Sequence, residues 1–362
     1  MIRIGMVGLG KMGLSHYSMV NAHPDVEVVA VCDSSAYLLG LLNRYTGVET
    51  FNDMSKMLAQ SNLDAVIIST PSVLHAQMVK TALEAGVNVF CEKPFSLNPS
   101  TSRDLTELAR SKKLVTQVGY HYRFVGAFKE VKRLLDSGAI GKVSHILAEA
   151  YGPVVLKPKG STWRSKKSEG GGSLYDYAAH PIDLVNWYLG VPSEVRGTIL
   201  GQVFSRETDD EVFSTMVWPD ETTAQLSVSW SDPSQRKMST KITVFGSNGR
   251  ITADRQECQT FLTDATAAPE GYVEGWNVRY TTDLTDEVYF YVRGEEYSAQ
   301  LDAFVKRIES GEIEGQNSFG SATGADEVLA MMVADANRDY AGIAAGPAPQ
   351  VDRGLFRRRT KS

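Results

Sequence analysis

Asp176 and His180 stand four residues apart in the run GGGSLYDYAAHPIDL at 170–184. On an α-helix, positions i and i+4 share a face, so a carboxylate and an imidazole at this spacing are expected to meet. Such a contact fixes the imidazole tautomer and raises its basicity, which suits a general base working near neutral pH. The competing assignment is a packed histidine beside an acidic first helical turn. Gly170–Gly172, just ahead of the pair, is expected to be a flexible hinge. His180 and Asp183 could ligate a cation, but His16, His23, His121 and His145 have no partners at ligand spacing, so no metal is expected.

Glu92-Lys93-Pro94 follows the apolar run 87–91. A lysine at a strand end above a ligand crevice can hydrogen-bond a substrate hydroxyl and stabilise the oxyanion formed as its proton leaves, whereas a solvated Glu–Lys pair would do little. Ser69-Thr70-Pro71, with His75 one helical turn on, ends another apolar run. These residues would either touch the nicotinamide half of a cofactor or cap the helix that Pro71 opens.

Gly8-Leu9-Gly10-Lys11-Met12-Gly13 lies between a predicted strand and a predicted helix. Glycines there permit a tight turn and close backbone approach, so a pyrophosphate can rest on the helix N-terminus. Asp33, 25 residues after Gly8, ends the second apolar run where a ribose-reading acid belongs. Ser34 and Ser35 follow with no adjacent Arg or Lys to hold a 2′-phosphate, so NAD is expected over NADP.

These residues need a frame. Apolar β-branched runs near 2–8, 26–33, 64–69, 87–91 and 114–119 alternate with helical patterns near 11–22, 34–45, 72–85 and 100–112, the pattern of stacked βαβ units on a parallel sheet. Beyond Gly119 come a helix near 125–137, a strand near 143–151, a long loop at 152–172 and a helix near 173–189. Runs at 194–204, 211–218, 222–230, 241–245 and 250–253 alternate like antiparallel strands, and helices near 295–310 and 320–340 close the chain. The expected fold is therefore α/β: a Rossmann dinucleotide-binding domain over 1–120, an α+β domain with a large, mostly antiparallel open sheet over 121–341, and an extended segment over 342–362.

The composition agrees: 362 residues with 43% hydrophobic content form ordinary globular domains, and a formal charge of −6 argues against nucleic-acid or anionic-membrane partners. No run approaches the ~20 apolar residues of a membrane span. Cys32, Cys91 and Cys258 are too widely spaced for a disulfide framework, and no leader precedes the first strand, so a cytoplasmic protein is expected. The basic tail from Arg353 to Lys361 is read as a solvated end.

Taken in order, GLGKMG, Asp33, STP with His75, EKP, GYHYRF at 119–124, Trp163-Arg164 and GGGSLYDYAAHPIDL resemble the glucose–fructose oxidoreductase/inositol dehydrogenase/rhizopine catabolism (Gfo/Idh/MocA) family. The resemblance implies NAD, or less readily NADP, held by Gly8, Leu9, Gly10, Lys11, Met12, Gly13, Asp33, Ser34, Ser69, Thr70, Pro71, His75, Glu92, Lys93, Trp163 and Arg164. It implies Lys93, Asp176 and His180 as catalytic residues on a hydroxyl of a sugar, sugar derivative or cyclitol, with Tyr120, His121, Arg123 and Trp163 lining the pocket. It also implies a homodimer or homotetramer formed through the C-terminal sheet. Ala178 stands where the family has glycine, and its methyl group is expected to narrow the pocket. Loop 152–172, with Lys157, Lys159, Arg164, Lys166 and Lys167, could read a phosphate or nucleotide on the substrate or be a solvated charged loop. Two other functions fit the same motifs: a dinucleotide sensor without turnover, and a lyase that oxidises its sugar only transiently.

Overall fold

The protein is described by a computed structural model over residues 1–157 and 163–338. The first six strands are β1 (Ile2–Val7), β2 (Val26–Cys32), β3 (Glu49–Phe51), β4 (Ala65–Ile68), β5 (Asn88–Cys91) and β6 (Thr116–Val118). They form a parallel sheet in the order β3-β2-β1-β4-β5-β6. The order reverses between β1 and β4, where Val7 pairs with both Cys32 and Ile68, so a crevice opens at the carboxyl ends of these strands. Helices α1 (Lys11–Asn21), α2 (Ala36–Thr46), α3 (Met54–Gln60), α4 (Ser72–Glu84) and α5 (Pro99–Ser111) make the crossovers. Ser35, Asp53 and Asn98 cap α2, α3 and α5 through their side chains, and Pro99 opens α5. β3 and α3 were not among the expected elements, since three and seven residues are too short to show a period.

α6 (Gly126–Asp136) and β7 (Val143–Tyr151) begin the second half. A π-turn (Leu174–Ala178) runs into α7 (Ala179–Leu189), and β8 (Glu194–Gly201), β9 (Glu211–Val217), β10 (Thr223–Ser229), β11 (Ser239–Gly246), β12 (Gly249–Ala253), β13 (Glu257–Leu262) and β14 (Gly275–Tyr280) follow. The sheet order is β14-β13-β12-β11-β7-β10-β9-β8, antiparallel except where β7 meets β10. Alternation assigns its faces: Ile146, Ala148, Leu226, Val228, Ile242, Val244 and Ile251 are buried beneath α6 and α7, while Phe213, Phe261, Trp276, Val278 and Tyr280 are exposed on the other side. In β14 the apolar residues face outward, which is why this strand did not read as half-buried.

α8 (Thr281–Leu284), α9 (Glu295–Ser310), α10 (Phe319–Ala322) and α11 (Gly324–Ala336) complete the described chain. The helix expected near 320–340 is thus two helices; its end, the segment 342–362 and Lys159 lie outside the described residues. α9 packs on the first sheet: Leu301, Phe304 and Val305 share a buried cluster with Ile4, Met6 and Phe90. Each such burial stabilises by about 1.5–3 kcal/mol. Gln117 Nε2 donates to Gln300 O at 2.6 Å, and the Arg307 guanidinium to Thr116 O at 2.9 Å, so β6 is gripped by α9.

Candidate active site

The glycine turn between β1 and α1 is built for a close ligand. Gly8 has φ +88°, and a Cβ there would lie 2.8 Å from Ser69 O; a Cβ on Gly13 would lie 1.9 Å from Gly8 O. Both positions therefore require glycine. Gly10 has no neighbour within 4 Å of where a Cβ would stand, and α1 begins there without a side-chain cap. The first-turn N–H groups of Lys11, Met12 and Gly13 have no partner within the helix, as a pyrophosphate site requires. Asp33 Oδ2 accepts the Leu9 N–H at 2.6 Å and Oδ1 accepts the Ser35 N–H at 2.7 Å, so the acid that would read a ribose also holds the turn. Leu9 is buried and its N–H is already used, so of the expected cofactor residues it supports rather than touches. Ser34 lies between Asp33 and the α2 cap.

Three further expected cofactor contacts turn inward. His75 is buried, with Nδ1 2.8 Å from Pro94 O and Nε2 2.9 Å from Thr70 O. It braces the STP turn against the EKP turn, and burial holds its pKa below the ordinary imidazole value. Glu92 Oε1 lies 2.6 Å from His16 Nε2, and Oε2 accepts the Lys93 N–H at 3.2 Å, so this carboxylate also works inside the protein. Thr70 Oγ1 donates to Met78 Sδ at 3.5 Å. Ser69 Oγ is enclosed and lacks a hydrogen-bond partner.

Lys93 projects from the end of β5. Its ammonium donates to Asp176 O at 2.6 Å and Asp176 Oδ1 at 2.9 Å, leaving one of three N–H groups uncommitted. Asp176 Oδ2 accepts from Arg164 Nε at 2.8 Å, and the Arg164 guanidinium lies over the Trp163 ring at 4.6 Å. Burial alone would raise the Asp176 pKa, but the Lys93 and Arg164 charges outweigh it and hold the carboxyl at about 2.

The expected contact between Asp176 and His180 is absent. Asp176 sits in the π-turn, where one extra residue per turn takes it out of α-helical register with His180, and two cations claim its oxygens. His180 Nδ1 is enclosed without a hydrogen-bond partner. Burial, with Lys93 and Arg255 nearby, drives the His180 pKa well below its ordinary value, so the imidazole is kept neutral by desolvation and cations rather than tuned by a carboxylate.

The glycines at 170–172 are packing positions, not the expected hinge. A Cβ on Gly171 would stand 2.3 Å from Arg164 O, and one on Gly172 2.4 Å from Asp209 Oδ1. Asp209 Oδ2 accepts both Ser173 Oγ and the Leu174 N–H, fixing the start of the π-turn. Ala178 is buried in the hydrophobic core, so its methyl group does not narrow a pocket.

Around His180 the rings of Tyr122 (4.8 Å), His121 (4.9 Å) and Tyr120 (6.3 Å) close in, and Tyr297 stacks on His121 at 4.2 Å. His121 is likewise pushed well below its ordinary pKa by burial, then by His180 and Arg255. Tyr120 OH is enclosed and unpartnered. Arg123 does not line the pocket as expected: it is buried in a bidentate pair with Asp183 at 2.9 and 2.6 Å. Its place as a cation near the histidines is taken by Arg255, from the turn between β12 and β13, which pairs with Glu296 and lies over Tyr122 at 5.8 Å. Arg255, Tyr297 and Asp209 gave no local signal, because only the long-range sheet topology brings them here.

Comparison with known proteins identifies the family and the fold. Residues 2–120 match the family described as an oxidoreductase family with an NAD-binding Rossmann fold, and residues 128–252 match the GFO/IDH/MocA C-terminal domain. Myo-inositol 2-dehydrogenase of Thermotoga maritima is 27% identical over 86% of this chain and 89% of its own length. Inositol 2-dehydrogenase of Rhizobium meliloti is 26% identical over 92% of this chain and 95% of its own. The fold is shared with levoglucosan dehydrogenase solved with NADH and levoglucosan, at a TM-score of 0.81 and 21% identity over 92% of this chain and 96% of that one.

Proposed function

The chain belongs to the GFO/IDH/MocA family of NAD-binding oxidoreductases, and from that premise we propose that it interconverts a secondary hydroxyl and a ketone on a sugar, sugar derivative or cyclitol. The observation that carries this reading is the Lys93 ammonium, held by Asp176 with one N–H to spare, on the same side of the first sheet as the glycine turn and near the bare imidazole of His180. A substrate oxygen would accept the spare N–H of Lys93 while neutral His180 removes the hydroxyl proton. Asp176 and Arg164 position the ammonium, and Trp163, Tyr120 and His121 surround the sugar. The nicotinamide, when bound, supplies the hydride acceptor. Gly10, the first turn of α1 and Asp33 would hold the dinucleotide.

Mixing protein, NAD and a panel of polyols and sugars, and following nicotinamide absorbance, tests the reading; NADH formation with at least one member is expected. No absorbance change alongside sugar rearrangement would indicate transient oxidation instead. The exposed aromatic face of the second sheet, with Phe261, Trp276 and Tyr280, supports association of copies as a dimer or tetramer, to be read by sedimentation. No described helix is long and apolar enough to cross a membrane, and the three cysteines are free and buried, which supports a reducing compartment.

A further inference from the structure

We propose that His16 is a positioning residue for Lys93: through Glu92 it ties the catalytic turn to α1, the helix whose N-terminus receives the dinucleotide. The inference rests on the catalytic reading of Lys93 given above. His16 is fully buried on α1, edge-on to Phe90 at 5.3 Å, and its Nε2 lies 2.6 Å from Glu92 Oε1. The other carboxylate oxygen accepts the backbone N–H of Lys93. Glu92 itself is closely packed. A Cβ on Gly119 would stand 3.0 Å from all three atoms of its carboxyl group, and its own N–H donates to Ile68 O at 2.9 Å.

Lys93 is therefore held at both ends. Its backbone is referred to α1 through Glu92 and His16, and its ammonium to the π-turn through Asp176. Burial disfavours an ionised Glu92, yet the hydrogen bond from His16 and the Lys93 charge help keep its pKa below the ordinary carboxylate value, so the bond is made to a carboxylate and is charge-assisted. A residue serving only the core would not need a carboxylate of the EKP turn as its partner. The distance from the dinucleotide cradle to the ammonium that acts on the substrate oxygen is set by this bond, and misplacement of a reacting group by an ångström can cost on the order of 10²-fold in rate.

The test uses the full chain with His16→Ala, His16→Gln, Glu92→Gln and the double variant His16→Ala/Glu92→Gln. NADH affinity is read by fluorescence titration, turnover by steady-state kinetics, and folding by Tm. His16→Ala is expected to lower kcat about ten-fold with NADH Kd within about three-fold of wild type. His16→Gln, whose amide can donate to Glu92, is expected to recover most of that loss, and the double variant to lose no more than the worse single one. A second readout is independent of turnover: acylation of Lys93 by an amine reagent, followed by peptide mass spectrometry, should change on adding NADH in wild type and not in His16→Ala. A His16→Ala kcat within about two-fold of wild type, or a loss in which NADH affinity falls in step and Gln restores nothing, would overturn the proposal. Should the alanine variant not fold, His16→Asn, whose shorter amide falls short of Glu92, takes its place. A wild type inactive on every polyol would remove the dehydrogenase reading, while the acylation arm would still decide whether α1 and Lys93 are linked.

Discussion

The carboxylate of Asp176 is bonded to Lys93, Oδ1 to Nζ at 2.9 Å, and makes no hydrogen bond to His180 four residues on. The lysine and the histidine are thus separate devices, one held by charge and one left bare, and variants should separate them. Asp176→Asn is expected to lower kcat/KM by about 10²-fold through loss of the ammonium's anchor, on the scale of one positioned catalytic group. Its acid limb should stay where the wild type has it, because the carboxylate does not set the His180 pKa. A pH–rate profile in which that limb moves would return Asp176 to the role of imidazole partner.

His180→Ala should cost about 10²–10⁴-fold in kcat/KM and abolish the acid limb. In the wild type that limb should lie below the ordinary imidazole value, since burial, Lys93 and Arg255 all disfavour the protonated ring. Oxidation rates measured from pH 5 to 9 in both proteins check this.

Lys93→Ala should remove most turnover while leaving NAD affinity within about a few-fold, because its ammonium is committed to Asp176 and not to the glycine turn. Calorimetric titration with NAD beside initial-rate kinetics separates the two effects.

NAD should bind more tightly than NADP. Asp33 accepts the Leu9 N–H of the glycine turn with one oxygen and the Ser35 N–H with the other, and its carboxylate would accept from a free ribose 2′-hydroxyl but repel a 2′-phosphate. Titration of both cofactors settles the order, and tighter NADP binding would shift attention to Ser34, Ser35 and Arg44.

Asp326 on α11 predicts an unusual pH dependence of stability. Burial raises its pKa from 3.8 to about 7, despite hydrogen bonds from Ser102 Oγ and the Ser96 N–H. A carboxyl raised in the folded state gives stability that is fully present below its unfolded value and lost as pH rises through the folded one, at up to about 1.4 kcal/mol per pH unit between those limits. The buried His75, His121 and His180 act oppositely: their depressed values mean stability is lost as pH falls below the unfolded imidazole value. Asp326→Asn should therefore raise Tm at pH 8 more than at pH 5. An equal change at both would show that Asp326 is ionised in the fold throughout.

How far the sequence could be read depended on the range of the interaction involved. The glycine turn, Asp33 and the lysine at the end of β5 are local: their roles follow from a residue at the end of a strand, and the parallel order of the first sheet follows from its alternating elements. The second sheet was legible at most strands whose apolar residues alternate inward, and missed at β13, which turns Cys258, Thr260 and Leu262 inward but Phe261 outward, and at β14, where Trp276, Val278 and Tyr280 face out. The Asp176–His180 contact failed because spacing predicts a meeting only within a regular helix, and the π-turn is not regular. Arg123 failed for another reason: its partner Asp183 lies sixty positions away, and nothing near Arg123 reveals that it is already paired. His75 and Glu92 were expected as cofactor contacts, but their side chains turn to Pro94, Thr70 and His16, partners that no local pattern supplies.

The packing of α9 on the first sheet also bears on how the protein is made. Leu301, Phe304 and Val305 close the same interior as Ile4, Met6 and Phe90. On the ribosome, the nucleotide-binding half emerges first but lacks that closing layer until the chain past Val305 has been synthesised. A nascent chain therefore carries an incompletely covered apolar sheet face throughout synthesis of the second half, the interval in which chaperone capture or aggregation competes with folding.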